Sequence, residues 1–412
     1  MSTFHMPPAQ IDLGTLPPPV LGSEPGSFAR YTLEVRLPRI VEETIELNAF
    51  PHDIRSALQE LKAEVLDGSI RRLHETTPDQ AFWELASQPY IGHQWLEAPW
   101  YWAEVFFYRR ILEATRYFQP RDASGQPSPW HHFDPYTARK QTEWEPHAGP
   151  RVVGAILEDL SPAPYARFEG LLHASLWGNR ADLTHNIANQ VGSLAQLERE
   201  RSKLLVDDTR PTWELLRQKP PGGLVIITDN AGTELLADLA LADFILQQGL
   251  AEQISLHLKP QPFFVSDAMP ADVLAGLQAL ERGGGAARAL AQQVQVHLDS
   301  QRLQLVTHWF YATSLFYFQL PADLMDELSA AGLVILKGDV NYRRLLGDAH
   351  WPPTTSFEGV TAYFPAPLLA LRTLKAELIV GLWPGQAEAL QAGDPHWLVN
   401  GQRGLIQGRL WR

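Results

Sequence analysis

The 412-residue chain contains no cysteine. That excludes disulfides, thiolate zinc sites and cysteine-nucleophile phosphatases or proteases. Basic tracts are missing too, and the formal net charge is −13, which disfavours nucleic acid or an anionic membrane as partner. No run of about 20 apolar residues could span a bilayer. No early segment follows a basic stretch with an apolar one, as a signal peptide does. The expectation is a soluble cytoplasmic protein. Several nucleotide and hydrolase signatures are also lacking. There is no GxxxxGK[ST] phosphate loop, no GxGxxG after a strand and no GxSxG elbow.

What is present is an ordinary globular composition, 45% apolar and 20% charged, in a chain long enough for roughly two to three domains. Thirteen Trp and 32 Pro point to aromatic-rich packing and stiff loops rather than long uninterrupted helices. The division expected is an extended or disordered lead-in over 1–26, a helical subdomain and connector over 27–150, and an α/β/α domain over 151–412. Pro7-Pro8 and Pro17-Pro18-Pro19 mark the lead-in. Helical periodicity follows over 38–49, 53–66, 80–85 and 98–117. Glu104 and Arg109, amid aromatics, read there as a structural salt bridge or an exposed face, with a substrate-facing role as the alternative. Residues 119–150 are broken by Pro, Gly and Ser and read as a connector. Its His131-His132 pair lacks a third ligand at useful spacing and reads as structural.

The most informative stretch spans 222–250. Leu224, Val225, Ile226 and Ile227, bounded by Gly222-Gly223, form a buried-strand signal. It stops at Thr228-Asp229-Asn230. A helical stripe follows, with Leu235, Leu239, Ala242 and Leu246 in line. Asp229 and Asn230 are therefore expected at the carboxyl end of a strand, where open α/β sheets place their sites. The bland alternative is that Asn230 or Thr233 caps the helix.

Two similar endings occur further on. Phe263-Phe264-Val265 precedes Ser266-Asp267, and Leu333-Val334-Ile335-Leu336 precedes Lys337-Gly338-Asp339. Further strands are read at 303–309, 368–374 and 378–382, and residues 198–205 as an exposed helical segment. Alternating strands and helices predict a mostly parallel sheet covered on both faces. Parallel strands bring their carboxyl ends to one edge, so the three endings can converge. Two carboxylates and an amide oxygen make a hard oxygen site suited to Mg²⁺ or Mn²⁺. Lys337, Arg343 and Lys375 could complement a phosphoryl group, and Gly338 allows close backbone approach. The reaction so read is metal-assisted attack on a phosphate ester. Asp229 is followed by Asn230-Ala231 rather than x-Asp, which departs from an aspartyl-phosphate mechanism.

TDNAGTELLADLALADFIL, FFVSDAMP, LWGNRADLT, LKGDVNYRRLLGD and LRTLK together resemble the damage-control phosphatase family, formerly domain of unknown function 89. Arg372 to Lys375 match the RTxK signature of its sugar-phosphate subfamily III. The resemblance implies a Rossmann-like three-layer α/β/α core, a mostly parallel sheet and an amino-terminal helical subdomain. It implies a phosphatase preferring Mn²⁺, with Mg²⁺, Co²⁺ or Ni²⁺ as alternatives, acting on small sugar phosphates of the fructose 1-phosphate or fructose 6-phosphate type. By motif, Asp229, Asn230 and Asp267 would hold the metal and carry catalysis. Glu234, Gly338, Asp339, Val340, Asn341, Tyr342, Arg372 and Lys375 would contact substrate, with Asn179 and Asp182 nearby. Arg180 stands where the family often has Lys, which changes donor geometry. Glu104-Val105 replaces the usual Glu-Cys. Two other functions stay open. One is S-adenosylmethionine-dependent carboxyl methylation, against which the lack of a Gly-rich adenosine loop counts. The other is noncatalytic sugar-phosphate binding.

Overall fold

The computed structural model describes residues 6–122, 124–145, 148–178, 201–218, 220 and 222–410. Asn179 and Asp182 lie outside them.

Seven strands form one sheet in the order β1-β7-β6-β5-β2-β3-β4. They are β1 (Leu204–Asp207), β2 (Gly223–Ile227), β3 (Gln253–Leu258), β4 (Leu303–Thr307), β5 (Leu333–Lys337), β6 (Leu368–Thr373) and β7 (Gly404–Arg409). Every neighbouring pair is parallel except β6 with β7. From β2 the chain steps outward through β3 and β4, then returns to place β5 on the other side of β2. That reversal opens a crevice at the carboxyl ends of β2 and β5, the usual ligand position in an open α/β sheet.

Period-2 alternation sends the strand side chains to two separate cores. Leu224, Ile226, Ile254, Leu256, Leu333 and Ile335 join one apolar cluster with the helices Pro164–Trp177 and Thr233–Gln247. Val225, Ile227, Val334, Leu336, Leu368 and Ala370 join the other, whose remainder comes largely from the amino-terminal helices. Those include Leu37–Glu46, His52–Asp67, Gln80–Ser87 and Trp100–Ala114. The fold is thus α/β, with a mostly parallel sheet and an amino-terminal helical region packed on one face. Among the described residues no helix is long and apolar enough to cross a membrane.

Four elements differ from their sequence reading. Residues 263–265 are a turn, not a strand end. Pro260 and Pro262 stop β3 at Leu258, because proline cannot donate to the ladder. Residues 378–382 are not a strand; their carbonyls serve side chains, with Leu378 O accepting from Arg372 Nη1 (2.5 Å) and Val380 O from Gln407 Nε2 (3.0 Å). Residues 204 and 205, the end of the segment read as helical, belong to β1, which pairs with β7. The helix Thr233–Gln247 is buried all round except at Asp243 and Gln247, rather than along one stripe.

The proline-rich lead-in carries a 3-10 turn at Leu13–Thr15 and is otherwise without helix or strand up to residue 27. Val20 is buried, donates its N–H to Asp348 O (2.9 Å) and accepts from Trp100 N (2.8 Å).

Candidate functional site

β2 ends at Ile227, level with Leu336 on β5 and His257 on β3. The next residues, Thr228 to Asn230, therefore emerge beside Lys337 and Gly338. After β3 the chain turns through residues 259–268 and comes back over the end of β2. There Asn230 and Asp267 form an antiparallel bridge. Ala268 N donates to Asp229 O (2.8 Å) and Ala231 N to Ser266 O (2.7 Å). Asp267 thus reaches the β2 edge by a returning loop, not at the end of its own strand.

Neither aspartate caps a helix. Gly232 is the N-cap of Thr233–Gln247, with no side-chain cap bond. Met269 is the N-cap of Pro270–Gly283, where Asp272 accepts its N–H. Thr233 Oγ1 donates to Glu143 (3.1 Å). Asn230 Nδ2 donates to Asp229 Oδ2 (2.6 Å) and to Glu234 Oε2 (2.9 Å), while its Oδ1 accepts from Ser266 Oγ. The amide thus sits between two carboxylates.

The other acidic side chains of the cluster each have a cation. Lys337 Nζ, itself buried, donates to Glu234 (2.9 Å), Asp238 (2.8 Å) and Ser175 O (2.7 Å). An ammonium has three N–H donors, so Lys337 has none left for a phosphate. Lys259 Nζ lies 3.0 Å from Asp267 Oδ2, close enough for an ion pair though not aligned as a hydrogen bond. Arg372 Nε donates to Asp339 Oδ1 (2.7 Å). Asp229 differs: among the described residues it has no ion pair, only the Asn230 amide. Burial, reinforced by the negative charges of Glu234 and Asp267, holds its carboxyl well above the usual carboxylate range; Lys259 and Lys375 pull the other way. An unpaired buried carboxylate is costly, and a hard cation beside it would remove that cost. No group of three or more His, Asp or Glu side chains is gathered as a metal centre among the described residues. Two carboxylates and one amide carry oxygens of the kind that suits Mg²⁺ or Mn²⁺, although the amide here turns its Nδ2 to Asp229 and its Oδ1 to Ser266.

The β5 side supplies shape. Gly338 has φ +88°, and a Cβ there would stand 2.1 Å from the Asp229 carboxyl carbon. Only glycine fits both requirements. Asp339 Oδ1 also accepts from Lys375 N (3.0 Å). Arg372 is fully buried, lies 4.4 Å over the Tyr342 ring, and has all three of its nitrogens bonded within the protein. Asn341 ties β2 to β5 through Thr228 O (3.2 Å) and Lys337 O (2.9 Å). Tyr342 OH donates to Gln407 (2.9 Å). Val340 packs at the edge of the helical-side core. Lys375 Nζ, by contrast, has no bond or ion pair among the described residues. Arg343, a possible anion partner on sequence, is buried between Asp348 and Glu104 and lies 3.5 Å over the Trp100 ring.

Sequence reasoning missed Lys259, Lys140 and Glu143. Lys259 ends an apolar strand, the same signal that marked Asp229. Lys140 and Glu143 sit in the broken connector, where no pattern singles them out.

Residues 32–390 match the damage-control phosphatase ARMT1-like domain. The chain belongs to that family. Its relatives include damage-control phosphatase ARMT1 of Mus musculus, 31% identical over 439 residues, covering 93% of this chain and 96% of the relative. The Homo sapiens ARMT1 is 29% identical over 454 residues, covering 96% and 99%. A solved duf89 family protein from Pyrococcus horikoshii aligns at 15% identity with a TM-score of 0.48, over 92% of this chain and 98% of that one. The match to the ARMT1-like family begins at Thr32, within the helical region, and takes in strands β1 to β6, while β7 follows it in the chain.

Proposed function

We propose that this chain is a divalent-metal-dependent phosphatase acting on small sugar phosphates of the fructose 1-phosphate or fructose 6-phosphate type, with Mn²⁺ preferred. The observation that carries the metal is Asp229, buried and without a cation beside neighbours that each have one. Membership of the damage-control phosphatase family supports the phosphate ester. RTLK at 372–375 supports the sugar-phosphate subfamily.

Asp229, Asn230 and Asp267 would hold the metal, which when bound polarises a phosphoryl oxygen. Lys375 is the cation left to meet the phosphate, and it lies just beyond the end of β6, after Leu374. Arg372 fixes Asp339, whose Oδ1 in turn holds the Lys375 backbone. Asn341 holds the ends of β2 and β5 together, and Lys337 ties β5 to the helices Pro164–Trp177 and Thr233–Gln247. Asn230 and Glu234 keep Asp229 in place. Burial of these groups excludes water and strengthens each electrostatic contact.

The test is phosphate release from a panel of sugar and cofactor phosphates with several divalent metals. Asp229→Ala should abolish metal-dependent release while circular dichroism stays unchanged; retained Mn²⁺-dependent turnover refutes the assignment. Titration with S-adenosylmethionine should give no heat; measurable binding would favour methyl transfer.

A further inference from the structure

We propose that Lys140, from the connector between the helical region and the sheet, is a positioning residue that presets Asp267. The proposal rests on the reading of Asp267 as a metal ligand. Lys140 lies on the short helix Thr137–Gln141 and is 5% exposed. Its Nζ donates to the main-chain oxygen of Asp267 (3.0 Å) and to Asp272 Oδ2 (2.9 Å), and pairs with Asp134 Oδ2 (3.1 Å). All three donors are used, and one grips the backbone of the loop itself.

That loop needs holding. Phe264 and Val265 have φ of +42° and +65°. Successive left-handed residues without glycine are strained, and a β-branched residue there is a true outlier. Such a conformation persists only when its surroundings enforce it. The enforcing contacts come from the helical region. Tyr108 packs tilted against Phe264, with centroids 4.7 Å apart, and Val265 packs at the edge of the helical-side core, lining a small cleft with Tyr136 and Arg139. Lys140 supplies the polar counterpart, one residue beyond Ser266, where the strained turn delivers Asp267 to Asn230. The helical region is thereby part of the site it does not itself line.

The test compares wild type, Lys140→Met, the charge-paired Lys140→Met/Asp134→Asn, and Asp134→Asn as control. The double variant leaves fewer uncompensated buried carboxylates should the single one fold poorly. Amide exchange and Mn²⁺ calorimetry are measured on each. Faster exchange confined to residues 263–268, with Mn²⁺ affinity at least tenfold weaker in both Lys140 variants and within threefold of wild type in Asp134→Asn, supports the proposal. Unchanged exchange, unchanged affinity, or equal losses in Asp134→Asn overturn it. A wild type that takes up no Mn²⁺ removes the metal reading, and the ligand-positioning role falls with it. Unchanged exchange beside intact wild-type binding overturns the clamp alone.

Discussion

At Gly338 a single hydrogen in place of a side chain lets the β5 turn close against the Asp229 carboxylate. Gly338→Ala should therefore cost more than the roughly 1–2 kcal/mol of a left-handed alanine, because a clash is added. Gly385 provides the comparison: its φ is +83°, yet a Cβ would meet nothing within 4 Å. Thermal unfolding should show Gly338→Ala clearly less stable than Gly385→Ala, and only the former should lose phosphate release. Asp229 makes a second residue-scale prediction. Its carboxyl is buried without a cation, and burial disfavours its ionised form, so Asp229→Asn should raise the melting temperature of the metal-free protein at neutral pH while removing metal-dependent turnover. A melting temperature that falls would show the carboxylate to be structural. At this scale the sequence was informative where an apolar run broke off into polar residues. It misled at Lys337 and Arg343, whose charge is legible but whose partners are not: Glu234, Asp238, Glu104 and Asp348 lie far off in the chain or on other turns.

Between elements, the helix Trp100–Ala114 is joined to the helix Asp339–Leu346 by Glu104, Arg343 and Asp348. Removing the cation strands two buried carboxylates, so Arg343→Met should cost about 3–5 kcal/mol in denaturant unfolding. Glu104→Gln should be mild, because Asp348 still faces the guanidinium. Burial, only partly offset by Arg343, raises the Glu104 carboxyl above its ordinary range. The folded state then holds this proton more tightly than the unfolded one. The stability it contributes is full below the unfolded value and is lost as pH rises through the folded value. Glu104→Gln should flatten that part of the stability–pH curve, and an unaltered slope would refute it. The same scale shows why β2 and β5 were readable and β1 and β7 were not. The former are continuous apolar runs buried on both faces. β1 is four residues after a charged segment, and β7 carries two glycines and a polar Gln407. Their pairing with each other and with β6 makes them strands.

For the molecule as a whole, metal and fold should be linked. A ligand that binds only the folded state at a hundred times its Kd adds about 2.7 kcal/mol. Stripping the protein with chelator and restoring Mn²⁺ at that level should lower and then restore the melting temperature. No shift would mean that no site exists. The two-sided burial of the sheet, with the helical region on one face, makes this a global effect rather than one confined to a loop.

The sequence by itself determined the class of fold, the strands β2 to β6 in broad position, and the residue types at the crevice, because hydrophobic periodicity and abrupt polar endings are local signals. Only the tertiary structure decided which charges neutralise one another and how Asp267 arrives. The reason is that ion pairing and loop return depend on three-dimensional distance between different segments of the chain, which no local pattern encodes.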